Sequence, residues 1–364
     1  MIRVKCVENN AELKKFMDFP QQLYEGETFF VPAAQAIEQQ LLNPPEALGQ
    51  MRLYLALVGK EVCGRMALFF PAAGVGTEAA IYRLDFIDDT QVSAALIESA
   101  CKETSQRGYA SLCGPRGALE LEPQGAMALG QMHDGSAFAL QQPEYYLQHL
   151  EGLGFTKIFT QKEYRVALPD ALCSRETRYA EFLLRRQGVR LLPLESGEQF
   201  SAWAEPLFKL IASQLARAQG RLLPEVLVRA RLEESWLRYA DLRFIHLYVD
   251  RIGALAGATI ALPDMAAALR AVEGRHRPWN KRKFEAFRRE VRSLELLLSI
   301  FRPEYVGTGL RDAMLINLVQ DAVRQGMKFI TTGPLLPCQG ERAAGLTFKN
   351  GVIYSVRHTL RRSV

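Results

Sequence analysis

The clearest hydrophobic pattern of the chain lies in its second half, where a strand-like run gives way to a helical spacing. Ser293 to Phe301 is an almost continuous apolar run of strand length. A turn with two glycines follows, and apolar residues then recur every three or four positions, at Leu310, Met314, Leu315, Leu318, Val319 and Ala322. This pattern predicts a buried strand, a turn and an amphipathic helix.

The first half shows the same kinds of pattern. A helix that ends near Pro20 is predicted first, because proline favours helix ends. The elements predicted after it are a helix from Ala33 to Leu42, a β-hairpin of Arg52 to Val58 with Val62 to Phe70, a strand from Ala80 to Ile87, a helix from Val92 to Gln106, a strand from Ala110 to Cys113 and a helix that ends at Gly154.

The second half repeats this order. Arg243 to Val249 corresponds to the first strand of the hairpin and Leu255 to Ala261 to the second, and Q-G-M-K-F-I-T-T-G-P corresponds to R-G-Y-A-S-L-C-G-P. Several matches in one order indicate two similar domains. We place them at residues 1–170 and 171–364, and expect an insertion between Leu262 and Val291.

Composition narrows the class of protein. The 364 residues are 48% hydrophobic and 23% charged, which is typical of a folded globular chain. No apolar run reaches the roughly 18 residues of a membrane span, and the N-terminus lacks the pattern of a secretory signal, so a cytoplasmic protein is expected. The six cysteines form no C-x-x-C pair, which argues against zinc, and the net charge of +5 permits an anionic ligand.

The order of the predicted elements resembles the GNAT superfamily of acyl-CoA-dependent acyltransferases. The resemblance is carried by F-M-D-F-P-Q-Q-L-Y, F-V-P, P-E-Y-Y and L-G-F in the first half, and by A-L-P-D-M, G-R-H-R-P and V-G-T-G-L in the second. The whole chain resembles a bacterial group with two such domains in tandem. This implies an α/β (α+β) fold, in which each domain is a mixed, mostly antiparallel sheet flanked by helices.

The glycine turn of the second domain is the expected donor site. The superfamily pattern is Gln or Arg, two residues, Gly, one residue, then Gly or Ala; this chain reads E-Y-V-G-T-G, with Glu304 in the first position. The resemblance implies that the pyrophosphate of acetyl-CoA or another acyl-CoA binds Val306, Gly307, Thr308, Gly309, Leu310 and Arg311. Arg302 or Arg311 could offset the charge of Glu304, and an ordinary structural turn is the alternative.

The corresponding turn of the first domain reads F-I-D-D-T-Q. Asp88 and Asp89 are both acidic and no glycine accompanies them, so this turn is predicted to be a poor site for a pyrophosphate. The first domain is therefore expected to be structural or to shape a substrate site.

Three residues are candidates for acyl-transfer chemistry in the second domain. Glu295 lies on the central strand, where alternation places it on one face with Leu297, Ser299 and Phe301, and the resemblance implies a general base; an exposed charge at the strand start is the alternative. The usual acid of the superfamily, a tyrosine, is replaced by Thr347. Tyr354, Tyr305 or Cys338 could serve instead, as could water, or the domain is not catalytic.

A basic segment between Arg275 and Arg292 is the densest charge run, and Trp279, Phe284 and Phe287 interleave with it. A solvated helix face is the simplest interpretation. The alternatives are a site for the phosphates of coenzyme A, for an acyl carrier protein or for RNA.

These observations lead us to expect an acyl-CoA-dependent N-acyltransferase that acts on an amine of a small molecule or peptide. A transferase that takes its acyl group from an acyl carrier protein or an aminoacyl-tRNA is the second hypothesis. A non-catalytic binding protein with a GNAT fold is the third.

Overall fold

A computed structural model describes residues 1–119, 122, 124–130, 133–171, 173–219, 225–234, 237–275, 277–332 and 351–364. In this part of the chain, no helix is long and apolar enough to span a membrane. No group of three or more His, Cys, Asp or Glu side chains is placed to bind a metal ion there either.

The chain folds into two compact units, each built from segments that are not consecutive. Unit 1 comprises Met1–Lys162, Ala266–Phe284 and Ser355–Val364. Unit 2 comprises Glu163–Met265 and Glu285–Tyr354. The predicted domains, residues 1–170 and 171–364, stay a prediction.

The described part of the chain contains both strands and helices. The strands are β1 (Ile2–Cys6), β2 (Gly49–Val58), β3 (Glu61–Pro71), β4 (Ala79–Phe86), β5 (Ser111–Gly114), β6 (Ala126–Leu129), β7 (Thr156–Ala167), β8 (Arg190–Leu192), β9 (Ile245–Val249), β10 (Leu255–Pro263), β11 (Ser293–Phe301), β12 (Phe329–Thr332) and β13 (Val352–Ser363). The helices are α1 (Asn10–Leu23), α2 (Gln35–Leu41), α3 (Thr90–Gln106), α4 (Tyr145–Gly152), α5 (Ser174–Gln187), α6 (Gly197–Gln219), α7 (Glu225–Glu234), α8 (Ala266–Ala271), α9 (Lys281–Arg289) and α10 (Leu310–Arg324).

Unit 1 is built on a mixed sheet with the strand order β1-β2-β3-β4-β5-β13. The predicted hairpin is confirmed, since β2 and β3 pair antiparallel from Gly49 opposite Pro71 to Val58 opposite Glu61. The pair of β4 and β5 is parallel, and α3 connects them. Apolar residues of α3 pack on this sheet in the core of the unit, among them Val92, Leu96, Ile97 and Ala100.

Unit 2 has the same arrangement. Its strand order is β8-β9-β10-β11-β12, followed by the last residues of β7. The pair of β11 and β12 is parallel, and α10 connects them, as α3 connects β4 and β5. Leu315, Leu318 and Ala322 of α10 pack against Leu294 and Leu296 of β11. The predicted strand, turn and amphipathic helix are therefore confirmed, with β11 at the predicted bounds.

The first helix extends three residues beyond the predicted end. Proline 20 lies inside α1, and because it has no N–H group, the carbonyl of Phe16 four residues earlier has no helical donor. The guanidinium of Arg65 provides that donor: its Nη1 lies 2.8 Å from the Phe16 oxygen. A long-range hydrogen bond thus allows the helix to continue past a residue that normally ends one.

The elements that the sequence analysis did not predict include β1, α5 and the short β8. The residues of β1 pair with β2, from Ile2 opposite Val58 to Cys6 opposite Tyr54. Helix α5 has only two fully buried residues, Ala180 and Leu183, so its apolar signal in the sequence is weak. Strand β8 has three residues, which is too short for a periodic pattern.

Candidate functional site

The glycine turn of unit 2 lies at the carboxyl end of β11, where the parallel strand gives way to α10. Pro303 starts a single 3₁₀ turn, and Gly307 and Gly309 follow with φ angles of 76° and 84°. Both angles lie in the left-handed region, which other L-residues adopt at a cost of about 1–2 kcal/mol. The two glycines are therefore required by the backbone, and Gly309 forms the N-cap of the helix.

Some of the backbone N–H groups that were predicted to bind an anion already donate hydrogen bonds within the chain. The N–H of Val306 donates to Pro303, that of Thr308 to Tyr305, and that of Leu310 to the Thr308 hydroxyl at 3.3 Å. In the part of the chain that the structure describes, the N–H groups of Gly307 and Gly309 donate to no acceptor. An anion at this helix start would thus bind the two glycine amides, rather than all of the predicted series from Val306 to Leu310.

The two glycines differ in their surroundings. A Cβ on Gly309 would lie 3.0 Å from Leu183 Cδ2 of helix α5, whereas a Cβ on Gly307 would have no heavy atom within 4 Å. Gly309 therefore permits close packing of α5 against the start of α10. Gly307 leaves the outer side of the turn open to a ligand.

The charge of Glu304 is offset by a neighbouring arginine, one of the two that the sequence suggested. Arg302 Nε lies 3.1 Å from Glu304 Oε1, and Arg302 Nη2 donates to Asp250 Oδ2 at 2.5 Å. Burial acts to raise the pKa of Asp250, but the bonds from Arg302 and from two backbone N–H groups lower it below its usual value. Arg302 is thus engaged by two carboxylates and is not free to bind phosphate.

Two further arginines flank the turn. Arg186 of α5 donates through Nη2 to the Thr308 carbonyl at 2.6 Å, and the Arg311 guanidinium carbon lies 5.1 Å from the centre of the Phe301 ring. The sequence analysis did not single out Arg186, because it is distant in sequence from the turn. Arg302 is engaged by Asp250 and Glu304, so Arg186 and Arg311 are the cations that the turn adds to its two carboxylates. The glycine amides, the helix dipole and these two guanidinium groups would together supply the attraction for an anion.

A β-bulge changes the face on which Glu295 lies. Ile260 of β10 pairs with Leu298, but the next residue, Ala261, pairs with Leu296, so Leu297 is an extra residue in β11. The expected face of Glu295 with Leu297, Ser299 and Phe301 is therefore wrong. Ser299 and Phe301 lie on the face that carries Leu294 and Leu296, where α10 packs, and Glu295 lies on the opposite face.

Glu295 is buried, with 6% of its surface exposed, so the alternative of an exposed strand-start charge is wrong. It pairs with Thr331 of β12, which in turn pairs with Arg165 of β7. Residues that are paired across neighbouring strands share a face of the sheet. Glu295, Thr331 and Arg165 therefore form a polar row across three strands, on the face opposite α10.

Tyr354 joins this row through Arg165. The Arg165 Nη1 atom donates to the Tyr354 hydroxyl at 3.2 Å, and its guanidinium carbon lies 5.1 Å from the centre of the tyrosine ring. Two of the three predicted catalytic residues, Glu295 and Tyr354, thus lie on one face of unit 2. The third, Thr347, falls within residues 333–350, outside the described residues, as does Cys338.

The remaining alternative for the acid, Tyr305, belongs to the turn. Its hydroxyl accepts from Arg302 Nη2 at 3.2 Å, and its ring packs on the cluster around Leu310 and Met314. Nine residues separate it along the chain from Glu295, and the six of them that belong to β11 span roughly 20 Å of extended strand. Tyr305 therefore lies beside the glycine turn, where the phosphates are expected, and not beside Glu295.

The basic segment divides between the two units. Residues up to Phe284 belong to unit 1 and those from Glu285 to unit 2. In unit 2, three arginines of the segment line a groove of about 350 Å³ together with Arg243, Asp241, Glu285 and Gln325: Arg288, Arg289 and Arg292. Arg292 immediately precedes β11, so nine strand residues, about 30 Å, separate it along the chain from the glycine turn. This groove is at the wrong end of β11 for phosphates bound at the turn. His276 lies outside the described residues.

The corresponding turn of unit 1 has no open helix start. Asp89 is the N-cap of α3, and its Oδ1 atom accepts from the Gln91 N–H at 2.7 Å. Asp88 Oδ1 lies 3.1 Å from His149 Nε2. A side-chain carboxylate of the chain itself thus occupies the position where an anion would bind.

Removing this cap tests its role. We expect Asp89→Ala to lower the free energy of unfolding by about 1 kcal/mol, since a lost N-cap typically costs 0.5–2 kcal/mol. Chemical denaturation measures the change. Acetyl-CoA binding, measured by calorimetry, should not increase, because the turn still lacks glycines; a second acetyl-CoA site in the variant would contradict this interpretation.

No protein-family model matches the chain, and no curated protein sequence matches it. Among solved structures, a tandem GNAT protein from the clavulanic acid biosynthesis pathway aligns over 100% of this chain and 98% of its own, with a TM-score of 0.59 and 13% identity. The chain has a tandem GNAT fold.

Two other solved structures share the GNAT fold. A GCN5-related N-acetyltransferase from Sphaerobacter thermophilus covers 100% of this chain and 95% of its own, with a TM-score of 0.55 and 9% identity. A glucosamine N-acetyltransferase region of a fungal multi-domain β-N-acetylglucosaminidase covers 100% of this chain and 38% of its own, with a TM-score of 0.61 and 10% identity. These likenesses confirm the predicted fold class, and at such identities they concern the fold alone.

Proposed function

We propose that the chain is an N-acyltransferase whose second GNAT unit binds acyl-CoA and transfers its acyl group to an amine. The observation that carries the proposal is the turn after β11, where two glycine amides without internal acceptors lie at the start of α10. The corresponding turn of unit 1 is capped by Asp89, so the proposed donor site is confined to unit 2.

Unit 2 has residues that suit both ends of an acyl-CoA molecule, the pyrophosphate and the acyl thioester. The amides of Gly307 and Gly309 would hold the pyrophosphate, with Arg186 and Arg311 as nearby cations. An extended pantetheine arm would then follow β11 towards the bulge at Leu297. The thioester supplies an activated acyl group, and the protein has to orient it and exclude water.

Proton transfer is assigned to the polar row. The ammonium form of an amine cannot attack a carbonyl, so a base must first take its proton. Glu295 is a buried carboxylate that can accept this proton, directly or through water. Tyr354 has a hydroxyl that can protonate the leaving thiolate, and the adjacent Arg165 guanidinium stabilises the resulting phenolate.

The proposal is tested by thioester consumption. Purified protein is mixed with acetyl-CoA and longer acyl-CoA species, and free thiol is measured over a broad amine panel. Amine-dependent release of thiol supports the proposal. Acyl-CoA binding without turnover of any amine would favour the non-catalytic alternative, and turnover only with acyl carrier protein or aminoacyl-tRNA would favour the second hypothesis.

The charge at Glu304 offers a gain-of-affinity prediction. The superfamily pattern has an amide or a base here, and Glu304 adds a carboxylate beside the proposed pyrophosphate. We expect Glu304→Gln to tighten acetyl-CoA binding by about threefold to tenfold, a change of roughly 0.7–1.4 kcal/mol. Calorimetry at low salt measures it.

Two checks accompany this variant. The gain should shrink at high salt, because interactions of exposed charges are screened. The stability should change little, since Glu304 is 56% exposed and exposed ion pairs contribute about 0–1 kcal/mol. A weaker affinity for acetyl-CoA in the variant would place the pyrophosphate elsewhere.

A further inference from the structure

Unit 1 contains a polar cavity that the proposed acyl transfer does not use. Its volume is about 140 Å³, enough for about five water molecules or a solute of similar bulk. Helices α1 and α2, strands β3 and β4, and the loop around Gln142 form its walls. Seven charged side chains line it. Arg275 and Asp18, paired at 3.1 Å, and Glu273 are the more exposed ones. The other four are each at most 12% exposed: Glu38, Arg65, Arg83 and Asp85.

The first pair of charges is held in place by the fold. Arg65 Nε donates to Asp85 Oδ2 at 2.7 Å, while its Nη1 binds the Phe16 carbonyl that Pro20 leaves without a helical donor. The Tyr24 hydroxyl donates to the other oxygen of Asp85 at 3.1 Å. Arg65 and Asp85 are therefore fixed by bonds from α1, β3 and β4.

The second pair is less completely bonded. Arg83 Nη2 lies 2.6 Å from Glu38 Oε2, but in this geometry neither oxygen of Glu38 accepts an aligned hydrogen bond. Burial acts to lower the pKa of Arg83, but the Glu38 carboxylate raises it above its usual value, so the guanidinium stays charged. Both residues thus present charge to the cavity with hydrogen-bonding capacity left over.

Two more polar atoms at the cavity have no partner among the described residues: Gln142 Oε1 and Arg83 Nε. Gln142 is 3% exposed, and its amide nitrogen donates to the Leu84 carbonyl at 3.0 Å, which fixes the opposite oxygen as an acceptor. A buried polar atom without a partner typically costs about 1–3 kcal/mol. The cavity therefore offers acceptors at Glu38 and Gln142 and a donor at Arg83 to whatever enters it.

The charges of the cavity also indicate which solute fits. Two guanidinium groups and two carboxylates leave no net charge among the four buried side chains. A lone ammonium ion would lie near two arginines, and a lone carboxylate near two acids. A zwitterion avoids both conflicts, because each of its charges can lie beside the opposite charge of the protein.

We propose that the cavity of unit 1 binds a small zwitterionic amine of the size of an α-amino acid. Its ammonium group would donate to Glu38 and Gln142 Oε1, and its carboxylate would accept from Arg83. This site is independent of the acyl-CoA site, because the helix start of unit 1 is capped by Asp89 and the glycine turn belongs to unit 2.

Isothermal titration calorimetry on the full chain tests the proposal with three matched probes. L-Alanine carries both charges, ethylamine only the ammonium and propionate only the carboxylate; the other common amino acids are then titrated to find the preferred side chain. We expect at least one amino acid to bind at least tenfold more tightly than either single-charge probe. Equal binding of ethylamine or propionate, or no binding of any amino acid at millimolar concentration, would overturn the proposal.

Variants locate the site and separate it from acyl transfer. Gln142→Leu should weaken amino-acid binding at least tenfold and leave acetyl-CoA binding unchanged. Gly307→Val should weaken acetyl-CoA binding at least tenfold and leave amino-acid binding unchanged. Because Gln142→Leu also removes the donor to Leu84, its fold is checked by circular dichroism, and Glu38→Gln serves as a second variant with the same expected loss. Unchanged amino-acid binding in both cavity variants would place the ligand outside this cavity.

Discussion

Replacing Glu295 with glutamine is expected to lower the rate of acyl transfer to an amine by about 10²–10⁴-fold, the usual contribution of a positioned general base. The substitution keeps the size of the side chain and removes only its ability to take a proton. Acetyl-CoA affinity should not change, because the glycine turn lies at the other end of β11. Steady-state rates and calorimetry measure the two effects separately.

The pH profile distinguishes a base from a merely structural carboxylate. An alkyl ammonium with a pKa near about 10.4 loses its own proton as the pH rises, so the need for a base declines. The rate deficit of Glu295→Gln should therefore narrow between about pH 7 and pH 10. A deficit that is constant with pH would indicate that Glu295 acts only through the structure of the site.

Glu163 provides a matched control for this variant. It is also a buried carboxylate of unit 2, with 4% exposure, and lies on β7 two residues before Arg165, so strand alternation places it on the same face of the sheet. Glu163→Gln should lower stability about as much as Glu295→Gln, with transfer rates within about threefold of the unmodified protein. A rate loss in Glu163→Gln larger than about threefold would indicate that Glu163, and not Glu295, is the base.

Replacing Gly307 with valine is expected to weaken acetyl-CoA binding at least tenfold. A β-branched side chain at φ 76° would strain the turn, by about 1–2 kcal/mol, and would cover the amides that face the ligand. Since a Cβ at this position meets no protein atom, the loss of affinity does not require a clash within the fold. Gly309 is less suitable, because its Cβ would press on Leu183.

Gly326 is the matched control for the backbone strain. It follows the C-cap of the same helix, has a φ of 75° and likewise has no atom within 4 Å of an added Cβ. Gly326→Val should therefore cost similar stability, measured by chemical denaturation, and leave acetyl-CoA binding intact. Equal loss of affinity in both variants would mean that destabilisation of α10, and not occlusion of the turn, weakens binding.

The basic groove of unit 2 is the surface at which an acyl carrier protein or a tRNA would be expected to bind. Its arginines surround a groove of about 350 Å³, but two of them are already engaged: Arg243 with Asp241, and Arg288 with Glu285 at 3.6 Å. Arg289 and Arg292 are the residues with most charge to offer an acyl carrier protein or tRNA. Whether such a partner delivers the acyl group stays a prediction that the thioester assay with these donors addresses.

Local patterns in the sequence determined the elements that position the site. The apolar run of β11 and the three- and four-residue spacing of α10 predicted both elements, because side-chain periodicity reflects which face is buried. The two glycines predicted the turn, since the left-handed backbone that they adopt depends on the residue itself. The repeated order of elements predicted two similar units, and the fold confirms it.

Other features depended on residues that are far apart in the sequence. The helix α1 continues past Pro20 because Arg65, 45 positions later, supplies the missing donor. Glu295 changes face because β10 and β11 pair with one extra residue at Leu297, which alternation alone does not reveal. The charge of Glu304 is offset by Arg302, which is also held by Asp250.

The sequence by itself thus determined the order of the elements, the two glycines of the turn and the acidic turn of unit 1, because each depends on local conformational preference. The tertiary structure alone decided which amides stay open, which face carries Glu295 and how four buried charges meet in unit 1. These depend on strand register and on pairs of charges from distant segments, whose free energies exist only once the chain has folded.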